Sequence, residues 1–365
     1  KNGVVDYCLI FFCLNVHSSP CLSLPFWLHS PMSPENELIS RIYSLSKSKK
    51  EYDLIPHING TDHKEILEVD DSFALCSCLC GQSLWLPIYQ SVLDSKEPPS
   101  IEYLTILLLF VPFCMTSWHR RKQLLLNGQL TLKDELAFTR LVLMRFPRAT
   151  EPLQHRHWIL ERLPNVDFES LASDEIDLCE ALGDKHRCNY MVWQHRRWFL
   201  HKCGFTRQLF HSELVRMNAW NLAHPVDISG WSYRSHLFRS YQRMDDFDTL
   251  SSLLLREMVK IHSNIQAVPE NDVLWDYRRQ VVEIFAEMRR DKKQLKEFDT
   301  ETYVDPRLRD LTDRELKIYA EVDEPSRYSG SWASLLYKRY LRWVAQTFSE
   351  EFHPVFCMKS VGKYD

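Results

Sequence analysis

Apolar residues recur at helical spacing through most of the chain beyond residue 100. Between Lys133 and Arg145 they follow an i, i+3, i+4 pattern that ends at Pro147, as in an amphipathic helix that a proline terminates. A second run of the same kind opens at Pro152 and reaches Leu163. This stretch therefore predicts two helices joined by a short break.

The following stretch repeats this plan. Ser173 is placed to cap a helix that runs through Leu182, with Glu175 in its first turn. A break at residues 187–189 then leads into a second helix from Tyr190 to His201. Helix pairs are thus predicted to follow one another along the chain.

Each pair carries the same short motif, in which a tryptophan, or a leucine in its place, stands three residues before an arginine. Steps of 35, 40, 38 and 44 residues separate five such anchors, and 60 residues separate the fifth from a degraded copy at Leu335. The motifs read Trp118-His119-Arg120-Arg121, Leu153-Gln154-His155-Arg156, Trp193-Gln194-His195-Arg196, Trp231-Ser232-Tyr233-Arg234 and Trp275-Asp276-Tyr277-Arg278. Self-similarity at such a period indicates a stacked repeat architecture, so we predict an all-α solenoid.

The motif residues have a structural interpretation. At helical positions i and i+3 the tryptophan and the arginine share one face, so we expect each indole to fill the gap between neighbouring helices. The guanidinium is expected to bind backbone carbonyls of the next pair. The motif histidines His155, His157 and His195 are expected to form hydrogen bonds between helices. All four tryptophan anchors are predicted to be buried: Trp118, Trp193, Trp231 and Trp275.

Composition limits the possible classes of protein and points to no catalytic centre. The 365 residues carry a formal net charge of −4 with 26% charged residues, which is not the balance of a basic nucleic-acid-binding protein. Nine glycines leave little room for strands or phosphate-binding loops. Cys76, Cys78 and Cys80 stand at no familiar zinc spacing. We therefore expect no metal on this chain, and reduced thiols in the cytoplasm.

The ends of the chain differ from the repeats. Residues 1–35 hold an apolar run from Val4 to Val16, interrupted by Asp6, which is shorter than the ~20 residues that span a bilayer. We interpret residues 1–35 as a disordered or mis-predicted tail with no membrane span, and residues 347–365 as a C-terminal tail. The apolar run from Leu104 to Phe110 is interpreted as buried core of the solenoid.

Three segments resemble the protein prenyltransferase alpha-subunit repeat, whose pattern is Asn-Tyr-x-x-Trp-x-His-Arg-Arg. Asn189 to Trp198 matches the pattern almost completely, Asn271 to Arg279 matches well, and Asp227 to Arg234 matches in its second half. The segment Ser117 to Leu124 is similar to a divergent branch of the family. The resemblance covers roughly residues 36–346 and implies an alpha-alpha superhelix, a crescent of antiparallel helix pairs without a sheet.

The resemblance also implies an activity. It is that of an alpha-type subunit of a heterodimeric protein geranylgeranyltransferase, whose beta subunit holds the catalytic zinc and the isoprenoid pocket. In the family's reaction a zinc-bound thiolate, from a C-terminal cysteine of a protein substrate, attacks a prenyl diphosphate. The expected partner is a beta subunit of the Rab geranylgeranyltransferase type, and neither nucleic acid nor a membrane span is expected.

The rim positions of this chain depart from the family's pattern. The family's rim lysine directly precedes the Asn-Tyr pair, but here Cys188 stands there, with Arg187 one residue earlier. Tyr190 holds the position of the tyrosine that approaches the diphosphate, whereas the next repeat has Asp227-Ile228 in place of Asn-Tyr. Either Arg187 substitutes for the lysine, or the diphosphate is held mainly by the beta subunit. Tyr190 is either an assisting catalytic residue or a packing residue below Trp193.

Two functions are therefore weighed. One is the alpha-type subunit of a protein geranylgeranyltransferase, which positions the protein substrate and in which Tyr190 and Arg187 would assist, and the other is a non-catalytic helical-repeat scaffold that binds a protein on its concave face. The choice between farnesyl and geranylgeranyl belongs to the pocket of the other chain. The motif residues assigned to the repeat framework in either case are Trp118, Arg121, His155, Arg156, Asn189, Trp193, His195, Arg196, Trp231, Arg234, Trp275 and Arg278.

Overall fold

Helices dominate the computed structural model, which describes residues 34–55, 66–77, 84, 87–92, 100–162, 166–244, 246–295 and 332–347. The named helices are α1 (Pro34–Ser48), α2 (Ile101–Phe110), α3 (Met115–Leu126), α4 (Leu132–Arg145), α5 (Thr150–Arg162), α6 (Phe168–Lys185), α7 (Tyr190–Lys202), α8 (Arg207–Ala223), α9 (Ile228–Gln242), α10 (Phe247–Ala267), α11 (Asp272–Leu295) and α12 (Trp332–Thr347). Three strands, β1 (Glu51–Ile55), β2 (Ile66–Glu68) and β3 (Phe73–Ser77), lie between α1 and α2. The chain divides into two compact units, Lys1–Leu163 and Pro164–Asp365.

The first unit combines the pairs α2–α3 and α4–α5 with α1 and a small sheet. The strand order is β1-β3-β2, in which β1 runs parallel and β2 antiparallel to β3. The hydroxyl of Tyr52 on β1 donates to the carbonyl of Leu109 on α2 at 2.5 Å, which ties the sheet to the helices. The expectation of a helical array without a sheet is therefore wrong for the segments that form β1, β2 and β3.

A period of two explains this sheet. Along β3, Ala74 and Cys76 are buried while Phe73 and Leu75 are only half-buried, because alternate residues of a strand point to opposite faces. Strands of three to five residues are too short to interrupt a helical pattern visibly. Cys76 is a buried free thiol, and Cys78 and Cys80 lie outside the described residues, as does the run from Val4 to Val16.

The apolar helix α2 forms the centre of the first unit. Every side chain from Leu104 to Phe110 is buried, as expected for a helix that is apolar on all sides. The prediction of buried core for this run is confirmed.

The second unit contains the pairs α6–α7, α8–α9 and α10–α11, followed by α12. The side chain of Asp167 accepts a hydrogen bond from the Ser170 N–H at 3.1 Å, so α6 begins at Phe168. Ser173 lies inside this helix, and its predicted capping role is wrong because Asp167 already caps an earlier start. Helix α7 ends before Gly204, whose φ of +76° suits the left-handed residue that commonly follows a helix.

The four tryptophan anchors are buried, as predicted. In the degraded sixth copy Leu335 is 48% exposed, but Tyr337 packs against Trp275 at a centroid distance of 5.8 Å, as Tyr277 packs against Trp231. In the second unit Trp193 also meets Trp220 edge to face, with ring centroids 4.6 Å apart. Trp220 lies so close to α9 that a Cβ at Gly230 would stand 2.1 Å from its ring.

Candidate functional site

A glutamate lies at the centre of each of four successive helix pairs. The sequence pattern did not predict their burial, and Glu175, expected in a first turn, lies deeper in α6 because that helix begins at Phe168. The four glutamates are almost fully buried on the first helix of each pair: Glu135, Glu175, Glu213 and Glu257. Each carboxylate is bonded to a side chain 20 residues later, on the second helix of the same pair. These partners are His155 at 2.7 Å, His195 at 3.0 Å, Tyr233 at 2.5 Å and Tyr277 at 2.8 Å. The predicted interhelical role of His155 and His195 is confirmed, whereas His157 pairs with Glu161 of its own helix.

Motif arginines complete three of these buried clusters. Each guanidinium makes two hydrogen bonds of 2.6 to 2.9 Å to the glutamate of the following pair: Arg121 to Glu135, Arg196 to Glu213, and Arg234 to Glu257. The main partner is thus a carboxylate and not the backbone carbonyl that the sequence analysis predicted. The carboxylate charge offsets much of the cost of burying the guanidinium, and the bidentate geometry fixes the orientation of both side chains.

Two other motif arginines use different partners. Arg156 donates to the Leu136 carbonyl at 2.6 Å and to the Thr139 hydroxyl at 2.8 Å, which is a carbonyl contact within its own pair. Arg278 lies 5.5 Å from the centre of the Tyr340 ring, in cation–π range. Both guanidiniums are buried.

The buried clusters hold fixed protonation states. Burial alone would raise the pKa of Glu135, but the charge of Arg121 and the hydrogen bonds from His155 and Arg121 outweigh it and lower this pKa to about 2. Burial lowers the pKa of His155, with Glu135 opposing this effect in part. Burial followed by the charge of Glu213 raises the pKa of Tyr233 well above 10. These groups are therefore suited to holding helices together and not to exchanging protons with a substrate.

The loops between the two helices of each pair in the second unit form a continuous border, here called the loop edge. It comprises residues 186–189, 224–227 and 268–271 with the first residues of α7, α9 and α11. A carboxylate oxygen of Asp227 accepts a hydrogen bond from the Cys188 N–H at 2.6 Å. The side-chain amide of Asn271 donates to the Pro225 carbonyl at 2.8 Å. Each loop is therefore bonded to the one before it.

The predicted rim residues lie on the loop edge. Arg187 and Cys188 are exposed, whereas Asn189 is buried. Tyr190 is 59% exposed, and its hydroxyl contacts the side-chain amide of Gln194 on the same helix. The interpretation of Tyr190 as a packing residue below Trp193 is thus wrong. Its assisting role in catalysis, and that of Arg187, stay predictions.

Large apolar side chains are also exposed along the loop edge. They are Tyr190, Met191, Val226, Ile228 and Val268, each between 38% and 59% exposed. Exposed apolar groups that cluster on one border, next to polar residues, are typical of a surface that binds another protein.

The described part of the chain contains no cluster of three or more His, Cys, Asp or Glu residues arranged to hold a metal ion. Within the same residues, no helix is long and apolar enough to cross a bilayer.

Helix pairs that repeat a Trp-x-x-Arg motif and a buried glutamate define a helical-repeat protein. The sequence model of the protein prenyltransferase alpha subunit repeat matches residues 132–163 and 172–203, and the first match coincides with the pair α4–α5. Over these residues the chain carries the protein prenyltransferase alpha subunit repeat, and the relatives described next are similar to it over a longer stretch.

Several curated proteins are similar to this chain. Protein prenyltransferase alpha subunit repeat-containing protein 1 from Homo sapiens is 30% identical over 159 residues, which is 38% of this chain and 40% of that protein. The Danio rerio protein of the same name is 24% identical over 53% of this chain and 57% of its own length. Geranylgeranyl transferase type-2 subunit alpha from Mus musculus is 26% identical over 40% of this chain and 26% of that subunit. The match thus spans about half the length of the first relatives.

A comparison of structures finds Candida albicans protein geranylgeranyltransferase-I complexed with GGPP. The TM-score is 0.46 at 19% sequence identity, with 73% of this chain and 83% of the other covered.

Proposed function

We propose that this protein is the alpha-type subunit of a heterodimeric protein geranylgeranyltransferase in the cytoplasm. It supports transfer of a prenyl group from prenyl diphosphate to a C-terminal cysteine thiol of a protein substrate, while the beta subunit holds zinc and the lipid pocket. The observation that carries this proposal is the exposure of Tyr190 and Arg187 on the loop edge of a chain built from this family's repeats.

The chemistry of the two rim residues supports an assisting role. Negative charge develops on the diphosphate as the bond between C1 of the prenyl group and oxygen breaks, and preorganised donors stabilise such a leaving group. A guanidinium presents paired N–H groups that match phosphate oxygens. Arg187 forms no ion pair within the described residues, so its guanidinium is available, and Tyr190 presents a hydroxyl beside it.

The apolar loop edge supports an obligate partner. Obligate interfaces commonly bury ~2,000 Å² or more and are more apolar than the average protein surface. Met191, Val226, Ile228 and Val268 are exposed along the same border that displays Tyr190. A beta subunit that covers this border would bring the rim residues to the edge of its own pocket.

Reconstitution with a beta subunit tests the proposal. The chain is co-expressed with a beta subunit of the Rab geranylgeranyltransferase type, and transfer from farnesyl and geranylgeranyl diphosphate is measured with zinc present. We expect a stoichiometric complex that transfers the geranylgeranyl group, and no transfer by the isolated chain. Robust transfer by the single chain would contradict the division of labour.

Rim variants then test the assisting role within the active heterodimer. Tyr190→Phe removes one hydroxyl, and Arg187→Ala removes one guanidinium. Arg256→Ala serves as the control, because Arg256 is exposed on α10, outside the loop edge. We expect lower transfer with Tyr190→Phe and weaker diphosphate binding with Arg187→Ala, without loss of assembly.

The second candidate is a non-catalytic helical-repeat scaffold. Two residues favour it, since Cys188 stands at the lysine position and Ile228 at the second tyrosine position of the family's pattern. Purification from cells without any stoichiometric prenyltransferase beta subunit would support the scaffold. Full activity of the Tyr190→Phe, Arg187→Ala double variant in the heterodimer would leave this chain as a positioning subunit.

A further inference from the structure

Three tryptophan anchors each make the same kind of hydrogen bond to the loop that precedes them. The indole N–H donates to the carbonyl of a proline six residues earlier: Trp118 to Pro112 at 2.6 Å, Trp231 to Pro225 at 3.1 Å, and Trp275 to Pro269 at 3.0 Å. On the loop edge, the Pro225 carbonyl also accepts the side-chain N–H of Asn271 at 2.8 Å. This carbonyl therefore points inward, between two donors.

The α6–α7 loop departs from this plan. Arg187 stands six residues before Trp193, and its carbonyl is hydrogen-bonded to the ring nitrogen Nδ1 of His186 at 2.9 Å. The indole N–H of Trp193 is buried without a hydrogen-bond partner among the described residues. Cys188 has a φ of +56°, in the left-handed region that side chains with a Cβ adopt only at a cost.

Asp227, the N-cap residue directly before α9, explains these departures. Asp227 occupies the position that Asn271 holds in the next pair, as the N-cap before the second helix. An asparagine amide can donate to a carbonyl, whereas an ionised carboxylate can only accept. Asp227 accordingly accepts the Cys188 N–H at 2.6 Å, where Asn271 donates to a carbonyl.

The peptide between residues 187 and 188 is rotated relative to the equivalent peptide of the α8–α9 loop, and this rotation links the observations. The peptide between residues 187 and 188 must present its N–H to Asp227, so its carbonyl points the opposite way and leaves the Trp193 indole unbonded. The same rotation places Cys188 at positive φ. The second carboxylate oxygen of Asp227 is held by the N–H groups of Ser229 and Gly230 at 2.9 and 3.0 Å, so the carboxylate cannot rotate away.

We propose that Asp227 is the positioning residue that sets the conformation of the α6–α7 loop, because it selects the N–H of the 187–188 peptide and excludes the carbonyl. Asp227 thereby determines how Arg187 and Cys188 are displayed beside Tyr190. An amide at position 227 returns the loop to the geometry of the α8–α9 loop. The effect of this loop on prenyl transfer rests on the function proposed above, whereas the assignment of the loop conformation to Asp227 does not.

The indole signal of Trp193 reports the state of this peptide. Protein with ¹⁵N-labelled tryptophan is compared by NMR for the parent chain and Asp227→Asn, with Trp193→Phe to assign the signal. The amide oxygen can keep the two bonds to the first turn of α9, so this variant preserves the cap. We expect the Trp193 indole proton to move downfield and exchange more slowly, because it gains the Arg187 carbonyl as acceptor.

Asn271→Asp is the matched variant at the next loop. A carboxylate there faces the Pro225 carbonyl, so we expect the Trp231 indole proton to move upfield as the carbonyl turns away. Cys188→Gly relieves the positive φ, and we expect it to raise the Tm of the parent chain but not that of Asp227→Asn. A Trp193 signal that does not move in folded Asp227→Asn overturns the proposal.

Arg187→Pro separates the roles of residues 187 and 227. Proline stands at this position in the three regular loops. If Arg187→Pro moves the Trp193 signal while Asp227→Asn does not, residue 187 sets the loop and the proposal is wrong. If Asp227→Asn moves it alone, the assignment to Asp227 is supported.

Transfer assays of Asp227→Asn in the reconstituted heterodimer test the functional consequence. A moved Trp193 signal with reduced transfer supports both the loop assignment and the role of the rim. A moved signal with unchanged transfer supports the loop assignment but contradicts a role for this loop in transfer. Absence of transfer in the parent heterodimer would contradict the proposed function without affecting the NMR result.

Discussion

The buried centres of the helix pairs and the loop edge are made from the same motif, yet they follow different rules. In the centres, Arg234 and Glu257 pair with two hydrogen bonds of 2.6 and 2.7 Å and are almost inaccessible to water. On the loop edge, Arg187 and Tyr190 are exposed. Residues only three apart, such as Tyr190 and Trp193, thus face the surface and the core respectively. The motif therefore encodes a framework and a surface together, and variants should separate the two.

The largest loss of folding stability is expected when one member of a buried ion pair is removed. Arg234→Met leaves the Glu257 carboxylate buried with only the Tyr277 hydroxyl as a described partner. Breaking such a pair typically costs ~3–5 kcal/mol, and we expect this loss in urea unfolding. The double variant Arg234→Met, Glu257→Met removes the unpaired charge and should recover much of the stability. A single variant as stable as the parent would contradict a framework role for the pair.

Truncation of a tryptophan anchor should lower the folding stability by a similar or slightly smaller amount. Trp193 is 3% exposed and packs against Trp220 and Tyr233. Truncation of a buried tryptophan typically costs ~3–5 kcal/mol, so Trp193→Ala should lower the Tm and the yield. Trp332 is 50% exposed, and Trp332→Ala is the control that should change the Tm little. Equal effects of the two variants would argue against the predicted difference between core and surface.

Protonation of His155 and Glu135 is expected to cause a smaller, pH-dependent loss of folding stability. The pKa of His155 is lowered from 6.5 by burial, and that of Glu135 is lowered from 4.5 to about 2. In both cases the unfolded chain binds the proton more tightly, so stability present at neutral pH is lost on acidification. The loss begins below about pH 6.5 with His155 and continues from about pH 4.5 toward 2 with Glu135.

Replacing the histidine by the tyrosine that the pairs α8–α9 and α10–α11 use tests this assignment. Tyr277 bonds to Glu257 as His155 bonds to Glu135, and burial raises the pKa of Tyr277 well above 10. His155→Tyr should therefore reduce the loss of Tm between pH 6.5 and 4.5. Identical profiles of Tm against pH for the variant and the parent would show that His155 does not contribute.

The smallest effect on stability is expected at the loop edge. Exposed substitutions usually change stability by no more than ~0.5 kcal/mol, so Tyr190→Phe should leave the Tm unchanged. Transfer by the proposed heterodimer should fall by less than the ~10²–10³-fold that removal of a central oxyanion donor causes, because we expect the beta subunit to supply further donors. A large loss of Tm with Tyr190→Phe would place this side chain in the framework after all.

Helix pairs and their buried anchors could be predicted from the sequence because the helical period and the anchor spacing are local signals. The run from Lys133 to Arg145 and the break at residues 187–189 lie within a residue or so of the observed ends. The small sheet could not be predicted in this way. Its strands hold three to five residues each, and the pairing of β1 with β3 joins segments that no local period connects.

The buried glutamates were missed for a different reason. A glutamate within a helix normally indicates a solvated position, and its partners here come from neighbouring helices. The available signal was the spacing of 20 residues between each glutamate and the histidine or tyrosine that follows the anchor by two positions. The conformation of the α6–α7 loop was equally hidden, because it depends on an aspartate 39 residues away from Cys188.

The close approach of Trp220 to Gly230 links the choice of residue at two distant positions. A single methyl group at position 230 would overlap the indole, since its Cβ would lie 2.1 Å from the ring. Gly183 also lies against this ring, but with a Cβ separation of 3.2 Å that a slight shift could relieve. In related chains we therefore expect co-variation: an alanine or serine at the position of Gly230 should coincide with a smaller side chain at that of Trp220. An alignment rich in such chains that keep the tryptophan would show that α8 and α9 separate further in those proteins.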